Sequence, residues 1–445
     1  MKIQLSDHFT YRRLIRFTLP SIAMMIFTSI YSVVDGFFVS NFAGKTPFAA
    51  VNLVFPAMMI FATVGFIFGT GGTAIVAKTF GEGDAARANR YFSLFTYVAF
   101  ALGLVCGVLG FVFAEPLSLL LGATEGELLD ACVTYCHVVF LATPFYALQL
   151  FFQSFFVAAE KPQLGLAVTV SSGVTNMVLD AVLVMLLPME YKLAGAATAT
   201  AMSQIVGGAV PLVYFFRKNS STLRLGKTHF DGHAILRACV NGSSEFMSNI
   251  SMNVVAILYN MQLLAYAGED GVAAYGVMLY VGFIFSAAFV GYSIGTAPVV
   301  GYHHGAKNYG ELHGLLSKSL KMIAVFGVLM VAAGVLLARP LSAMFVGYDA
   351  GLMELTVKGF RIYAYSFLFM GFAIFFSGFF TALNDGVTSA IISFLRTLVF
   401  QSAAVLLLPR IWGIDGIWYS IVVAEFMAVV LGGAFLIGKR KKYHY

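Results

Sequence analysis

The stretch LIRFTLPSIAMMIFTSIYSVVDGFFVS, from Leu14 to Ser40, is apolar over more than the roughly 20 residues that a bilayer-spanning helix needs, yet it holds Asp35. A second such run, Leu164 to Leu187, holds Asp180, with Asn176 one helical turn before it. A carboxylate in hydrocarbon is costly and marks a functional site, most often for an ion or a proton.

The whole chain reads the same way. It has 445 residues, 60% of them hydrophobic and 11% charged, with a mean hydropathy of +0.86. So few charges cannot cover a soluble surface. About a dozen apolar runs follow one another between residues 14–40 and 414–438, separated by short charged loops. They are too long for buried strands and lack the alternation of an outer-membrane barrel. The expected fold is an all-α polytopic membrane protein of twelve transmembrane helices.

The net charge of +6 does not imply nucleic-acid binding. Most Lys and Arg, from Lys2, Arg12 and Arg13 through to Lys441 and Lys442, fall on one side of the expected spans. The other side holds only Lys45, Lys192, Arg339, Lys358 and Arg410, and Arg361 and Arg396 lie inside spans. By the positive-inside rule both termini are cytoplasmic. The four cysteines make no framework, since Cys132 and Cys136 are one helical turn apart, a poor disulfide geometry. The first helix is too long for a signal-peptide core and reads as an uncleaved span.

The chain repeats at an offset of 224. Ala43-Gly44 matches Ala267-Gly268, Gly71 matches Gly295, Gly81 matches Gly305, and Glu115-Pro116-Leu117-Ser118 matches Arg339-Pro340-Leu341-Ser342. Each half holds an even number of spans, so the halves are parallel repeats related by pseudo-two-fold symmetry along the membrane normal. The expected domains are residues 1–228, a six-helix bundle with a cation site, and residues 229–445, a second six-helix bundle. Rocking of one bundle against the other gives alternating access.

Gly44-Lys45-Thr46 and Gly226-Lys227-Thr228 lack the earlier glycine of a phosphate-binding loop, with Val39 and Ser221 in its place. Transport would then be driven by an ion gradient, with no cofactor. No His, Cys and acid constellation suggests an enzyme. Asn176 and Asp180 share one helix face, and Tyr31 and Ser32 precede Asp35 by one turn. Two carboxylates, an amide oxygen and a hydroxyl make an oxygen-only donor set that suits Na⁺. A carboxylate so placed can also carry a proton at physiological pH. The alternative is that each Asp bonds a neighbouring helix as structural glue. In the second half the acids are Glu245 and Glu425, for which a structural role is at least as well supported.

Several short motifs together point to a family. They are Leu19-Pro20, Val34-Asp35-Gly36-Phe37-Phe38-Val39, Gly81-Glu82-Gly83-Asp84, Asn176-Met177-Val178-Leu179-Asp180 and Gly305-Ala306-Lys307. The chain resembles bacterial multidrug and toxic compound extrusion (MATE) transporters of the DinF-like branch. The resemblance implies antiport of amphipathic or cationic organic compounds against Na⁺ or H⁺ in the bacterial cytoplasmic membrane. It implies a cation site at Asp35, Asn176, Asp180 and Thr198, with Gln153 lining the same cavity. Another branch uses an acid in the seventh helix, at a position that Asn253 occupies here. The expected partners are small organic substrates and the lipid bilayer, with no nucleic acid, and the expected state is a monomer. Two alternatives remain: a lipid or lipid-linked saccharide flippase of related architecture, and a membrane-embedded enzyme. A flippase would call for a strongly cationic cavity, and Arg396 is the one deep basic residue in the sequence pattern.

Overall fold

In the computed structural model the described residues are 3–123 and 125–445, and among them the secondary structure is entirely helical. The surroundings of residues 33, 36, 37, 40, 41 and 45 are not described. Lys2 and the Lys45 side chain, both used in the charge count, therefore lie outside the described residues.

Six spans build the first lobe: α1 (Tyr11–Phe38), α2 (Lys45–Gly81), α3 (Ala85–Val112), the bent α4 (Glu127–Leu141 and Thr143–Ala158), α5 (Pro162–Leu186) and α6 (Lys192–Phe216). The helix Gly232–Gly305 is two spans, because Gly268 breaks it with a φ of 63° and a ψ of −152°. These are α7 (232–267) and α8 (269–305). Then come α9 (Tyr309–Val346), the bent α10 (Ala350–Ala364 and Phe367–Ala382), α11 (Gly386–Trp412) and α12 (Ile414–Tyr443). Among the described residues these make the twelve spans expected from the apolar runs. Several helices outrun those runs, since their polar ends need no lipid. The run at 240–266, for example, belongs to a span that begins at Gly232.

The repeat is visible in the backbone. Positive-φ residues pair at the offset of 224: Gly44 with Gly268, Gly83 with Lys307, and Glu160 with Asn384. The bends of α4 (57°) and α10 (48°) fall at equivalent places, residues 142 and 365–366. Asp84 caps α3 by accepting from the Arg87 N–H, and Asn308 caps α9 by accepting from the Glu311 N–H, again 224 apart. Left-handed backbone disfavours side chains with a Cβ. Its recurrence at Glu160, Asn384 and Lys307 shows that chain reversal at these points is set by the fold rather than by local residue preference.

The two lobes meet along α2 with α7, along α1 with α8, and at the ends of α2 and α8, and the contacts are reciprocal, as a two-fold axis requires. A Cβ on Gly81 would lie 2.0 Å from the Tyr302 carbonyl oxygen, and one on Gly305 would lie 2.0 Å from that of Lys78. Gly71 packs likewise on Ala238, and its repeat partner Gly295 packs on Thr18. These contacts all lie in the half of the helices nearer the termini. The lobes are therefore closed at that end.

The closed end is also tied by polar groups. The segment before α1 bridges the lobes: the Leu5 N–H donates to Glu160 of the first lobe at 2.9 Å, and the Phe9 N–H donates to Glu311 of the second at 2.8 Å. Phe9 is fully buried there and meets His303 edge-on. Just before α11, Asp385 accepts from Lys439 Nζ at 2.6 Å and from the Tyr443 hydroxyl at 2.9 Å. Burial pushes this carboxyl up, but the bonds from Lys439, Tyr443 and Thr388 outweigh it and hold it below the usual carboxylate range.

Candidate ion-coupling site

Asp35 sits in the last turns of α1. The helix does not end regularly after it but passes into a π-helical turn, Val39–Ala43. Such turns interrupt the i→i−4 ladder and are common at functional sites. Asn176 and Asp180, at i and i+4 on α5, are both buried and point toward α1. Asn176 Nδ2 donates to Asp35 Oδ1 at 3.3 Å. The Asp35 and Asp180 carboxyls lie close enough to interact directly. The first lobe thus brings together the three residues that the spacing of the first and fifth helices singled out.

The surroundings supply acceptors and few donors. Both oxygens of Asp180 lack a hydrogen-bond partner, and so do Asn176 Oδ1, Gln149 Oε1, Gln153 Oε1 and Gln204 Oε1, all buried. Gln149 Nε2 donates to Ser172, whose hydroxyl donates on to the Ser203 carbonyl at 2.7 Å. That chain ties α4, α5 and α6 and fixes the Gln149 amide. Among the described residues no Lys, Arg or His pairs with Asp35 or Asp180. Nor does any group of three His, Cys, Asp or Glu form a transition-metal site there. Buried acceptors without donors cost several kcal/mol, roughly, unless a cation, a proton or water satisfies them. The donor set is oxygen only, so it fits a hard monovalent cation or a shared proton.

Other residues fall differently. Thr198 is exposed, and its hydroxyl donates to the Ala194 carbonyl of its own helix at 2.7 Å. Thr200 is the threonine of α6 that turns inward, bonding Tyr135, whose hydroxyl lies near both carboxylates. Gln153 is buried one turn beyond Gln149, with its oxygen unpartnered. Asn253 is exposed in the second lobe, donates to the Asn249 carbonyl, and belongs to a different wall. Tyr135 and Gln204 did not stand out in the sequence. A tyrosine in an apolar run reads as packing, and a lone Gln on a small-residue helix reads as a helix contact. Gln204 Nε2 bonds Met58 Sδ at 3.6 Å, and its buried oxygen is left unpartnered.

Known proteins share this architecture. The sequence profile of the MatE family matches two stretches, residues 20–182 and 246–404, one in each lobe. The multidrug export protein MepA of Staphylococcus haemolyticus is 25% identical over 424 residues, covering 95% of this chain and 92% of the relative. MepA of Staphylococcus aureus is 22% identical over 423 residues, with 94% and 92% covered. Among solved structures, a MATE protein in its straight conformation superposes with a TM-score of 0.90 at 20% identity, covering 98% of each chain. An outward-facing multidrug resistance MATE transporter gives a TM-score of 0.88 at 22% identity, again over 98% of each. Those two likenesses concern the fold, while the profile covers most of this chain. The chain therefore belongs to the MatE family of membrane transporters.

Proposed function

We propose that this protein exports amphipathic organic cations, driven by antiport of Na⁺ or H⁺ through the Asp35–Asn176–Asp180 site. The observation that carries the reading is a carboxylate pair, Asp180 buried and Asp35 half-buried, with unpartnered amide oxygens and, among the described residues, no protein cation paired with it. Such a site is stable only when something positive is supplied from outside. The MepA relatives are named multidrug exporters, which supports the same class of cargo here.

In this reading residues 1–228 bind the ion and residues 229–445 shape the substrate path. The basic end that carries both termini faces the cytoplasm of a bacterium, so the cleft, closed at that end, opens outward. Na⁺ or H⁺ entering from outside neutralises Asp35 and Asp180. The π-helical turn after Asp35 lets the end of α1 shift without breaking the rest of the helix, and the substrate leaves. With the carboxylates neutral, the lobes rock about the glycine seam and open inward. The ion then dissociates, and the restored negative charge favours a new cationic substrate. A single chain contains both lobes and so suffices as a monomer.

A flippase for anionic lipid headgroups is less well supported, because Arg396 is already held by Glu425. Proteoliposomes loaded with a lipophilic cation and given an imposed Na⁺ or H⁺ gradient test the proposal. Efflux should follow one of the two gradients. Efflux that ignores both and responds only to ATP would overturn it.

A further inference from the structure

The second lobe carries its own charged cluster, formed by α7, α11 and α12. Arg396 Nε donates to both oxygens of Glu425, at 3.0 and 2.8 Å, and Nη2 donates to Oε1 at 2.8 Å. Glu425 is 1% exposed and Arg396 16%. Arg396 belongs to the π-helical turn Leu395–Phe400, the second such turn in the molecule's described residues. At about 1.5 Å per residue, Arg396 lies roughly 15 Å from the start of α11, Glu245 roughly 20 Å from the start of α7, and Glu425 roughly 21 Å from Lys439 at the closed end. All three therefore meet near mid-membrane depth.

Glu245 is the odd member. It lies within electrostatic reach of Arg396, yet among the described residues its carboxylate makes no hydrogen bond or ion pair. It is half-buried rather than sealed. It heads a polar stripe on α7: Asn249 Nδ2 bonds the Glu245 carbonyl, and Asn253 Nδ2 bonds that of Asn249. Along the stripe exposure rises, from half-buried Glu245 and Asn249 to exposed Asn253. Two carboxylates share this cluster with one guanidinium, and the geometry leaves Glu245 as the carboxylate that Arg396 does not hold.

We propose that Glu245 anchors the positive group of the exported compound in the second lobe, and that Glu425 keeps Glu245 available by holding Arg396. This rests on the exporter reading above. A bidentate carboxylate is a strong partner for a guanidinium. Without it the buried cation needs a counter-charge, and Glu245 is the nearest carboxylate left. The pair Arg396–Glu425 would then act as a positioning device and Glu245 as the group that meets the ligand.

The test is equilibrium binding of tetraphenylphosphonium to the purified full chain. Tetraphenylborate, of the same shape and opposite charge, is the control. Glu245→Gln should weaken phosphonium binding by about ten-fold or more and leave borate binding unchanged or tighter. Glu425→Gln should do the same, by releasing Arg396. The double variant Arg396→Gln, Glu425→Gln removes the released charge and should restore phosphonium binding to within about two-fold of wild type. Elution volume and melting temperature establish that each variant is folded. If Glu425→Gln misfolds, the Glu245→Gln and double-variant arms decide. Wild-type phosphonium affinity in Glu245→Gln, or no recovery in a folded double variant, would overturn the assignment. Efflux by wild-type proteoliposomes that Glu245→Gln matches overturns this site alone, and no efflux by wild type overturns the exporter reading too.

Discussion

Replacing Gly305 by Ala tests whether the glycine seam is a joint that opens. Its added Cβ would sit 2.0 Å from the Lys78 carbonyl oxygen and 2.8 Å from the carbonyl carbon, where ordinary contact begins at 3.4 Å. The shortfall is about 1.4 Å against rigid helical backbone on both sides, so no side chain can rotate away. Over-packing of this kind costs about 1–3 kcal/mol. If the seam opens during transport, the cost falls only on the conformation closed at the terminal end. The equilibrium would then move toward the alternative by about 5- to 150-fold. Spin labels at Ala86 and Gly310 read this directly. Both are exposed and related by the offset of 224, so they flank the seam symmetrically. The background would lack the four native cysteines. We expect a longer-distance population in Gly305→Ala that is minor in the parent, and the same in Gly81→Ala, whose Cβ would meet Tyr302. An unchanged distance distribution with a lowered melting temperature would refute the reasoning, because the seam would then be a static core contact.

Three further outcomes follow from the same geometry. Asp35→Asn and Asp180→Asn should each abolish gradient-driven efflux while the protein stays folded in the membrane; normal drug resistance in cells expressing either would remove the coupling role. Thr200→Val deletes the hydroxyl beside Tyr135, and the concentration of coupling ion at half-maximal rate should rise by about five-fold, the equivalent of one buried hydrogen bond. Thr198→Ala loses only a bond to its own helix and should stay within about two-fold, so the reverse order of effects would argue that α6 turns its other face to the ion. Asp385→Asn should lower stability by about 1–3 kcal/mol at neutral pH. The Asp385 carboxyl is depressed by Lys439, Tyr443 and Thr388 against the opposing effect of burial. Its contribution is therefore present above the ordinary aspartate value near 3.9 and lost as pH falls through the lower folded value. The melting difference between wild type and Asp385→Asn should close in that acid window, and a difference independent of pH would contradict the assignment.

The architecture was legible because the bilayer permits so little. Apolar length gives the spans, and the Gly44–Gly268 and Gly81–Gly305 matches give the repeat that the backbone then displays. Asp35, Asn176 and Asp180 were legible because polarity is costly in hydrocarbon. Helix rotation was not. Thr198 and Thr200 are both threonines in an apolar run, two residues and about 200° apart on a helix, and nothing in the pattern says which faces α5. Packing decides it: Ser203 meets Ser172, and Gly207 presses on Gln149, and this rotation carries Thr200 inward. The partner of Arg396 was hidden for a related reason. Arg396 and Glu425 lie 29 residues apart on different helices, and no periodicity connects them.

The two lobes share a backbone but divide the electrostatics. At the place of Asp35 the second lobe has Tyr259, fully buried, its hydroxyl unpartnered and near Glu425. The first lobe keeps carboxylates without an internal cation among the described residues, so in the proposed coupling its charge would change on arrival of an ion or a proton. In the second lobe Arg396 pairs with Glu425 in bidentate geometry, and, among the described residues, Glu245 is the carboxylate of that cluster without a bound partner. The proposed coupling makes use of this division. If both lobes were neutralised by the same ion, substrate and ion would compete at every negative group and nothing would distinguish the loaded states. In the proposed coupling, with a switchable charge in one lobe and the unheld carboxylate of Glu245 in the other, arrival of the ion would weaken the hold on a cationic substrate without removing the group that aligns it. Coupling then requires no contact between ion and substrate. It requires only that Asp35 and Asp180 share the cleft's low dielectric with Glu245, so neutralising Glu245 in the variant Glu245→Gln should reduce the ion's effect on substrate affinity, and equal ion dependence in that variant and in wild type would place the coupling within the first lobe alone.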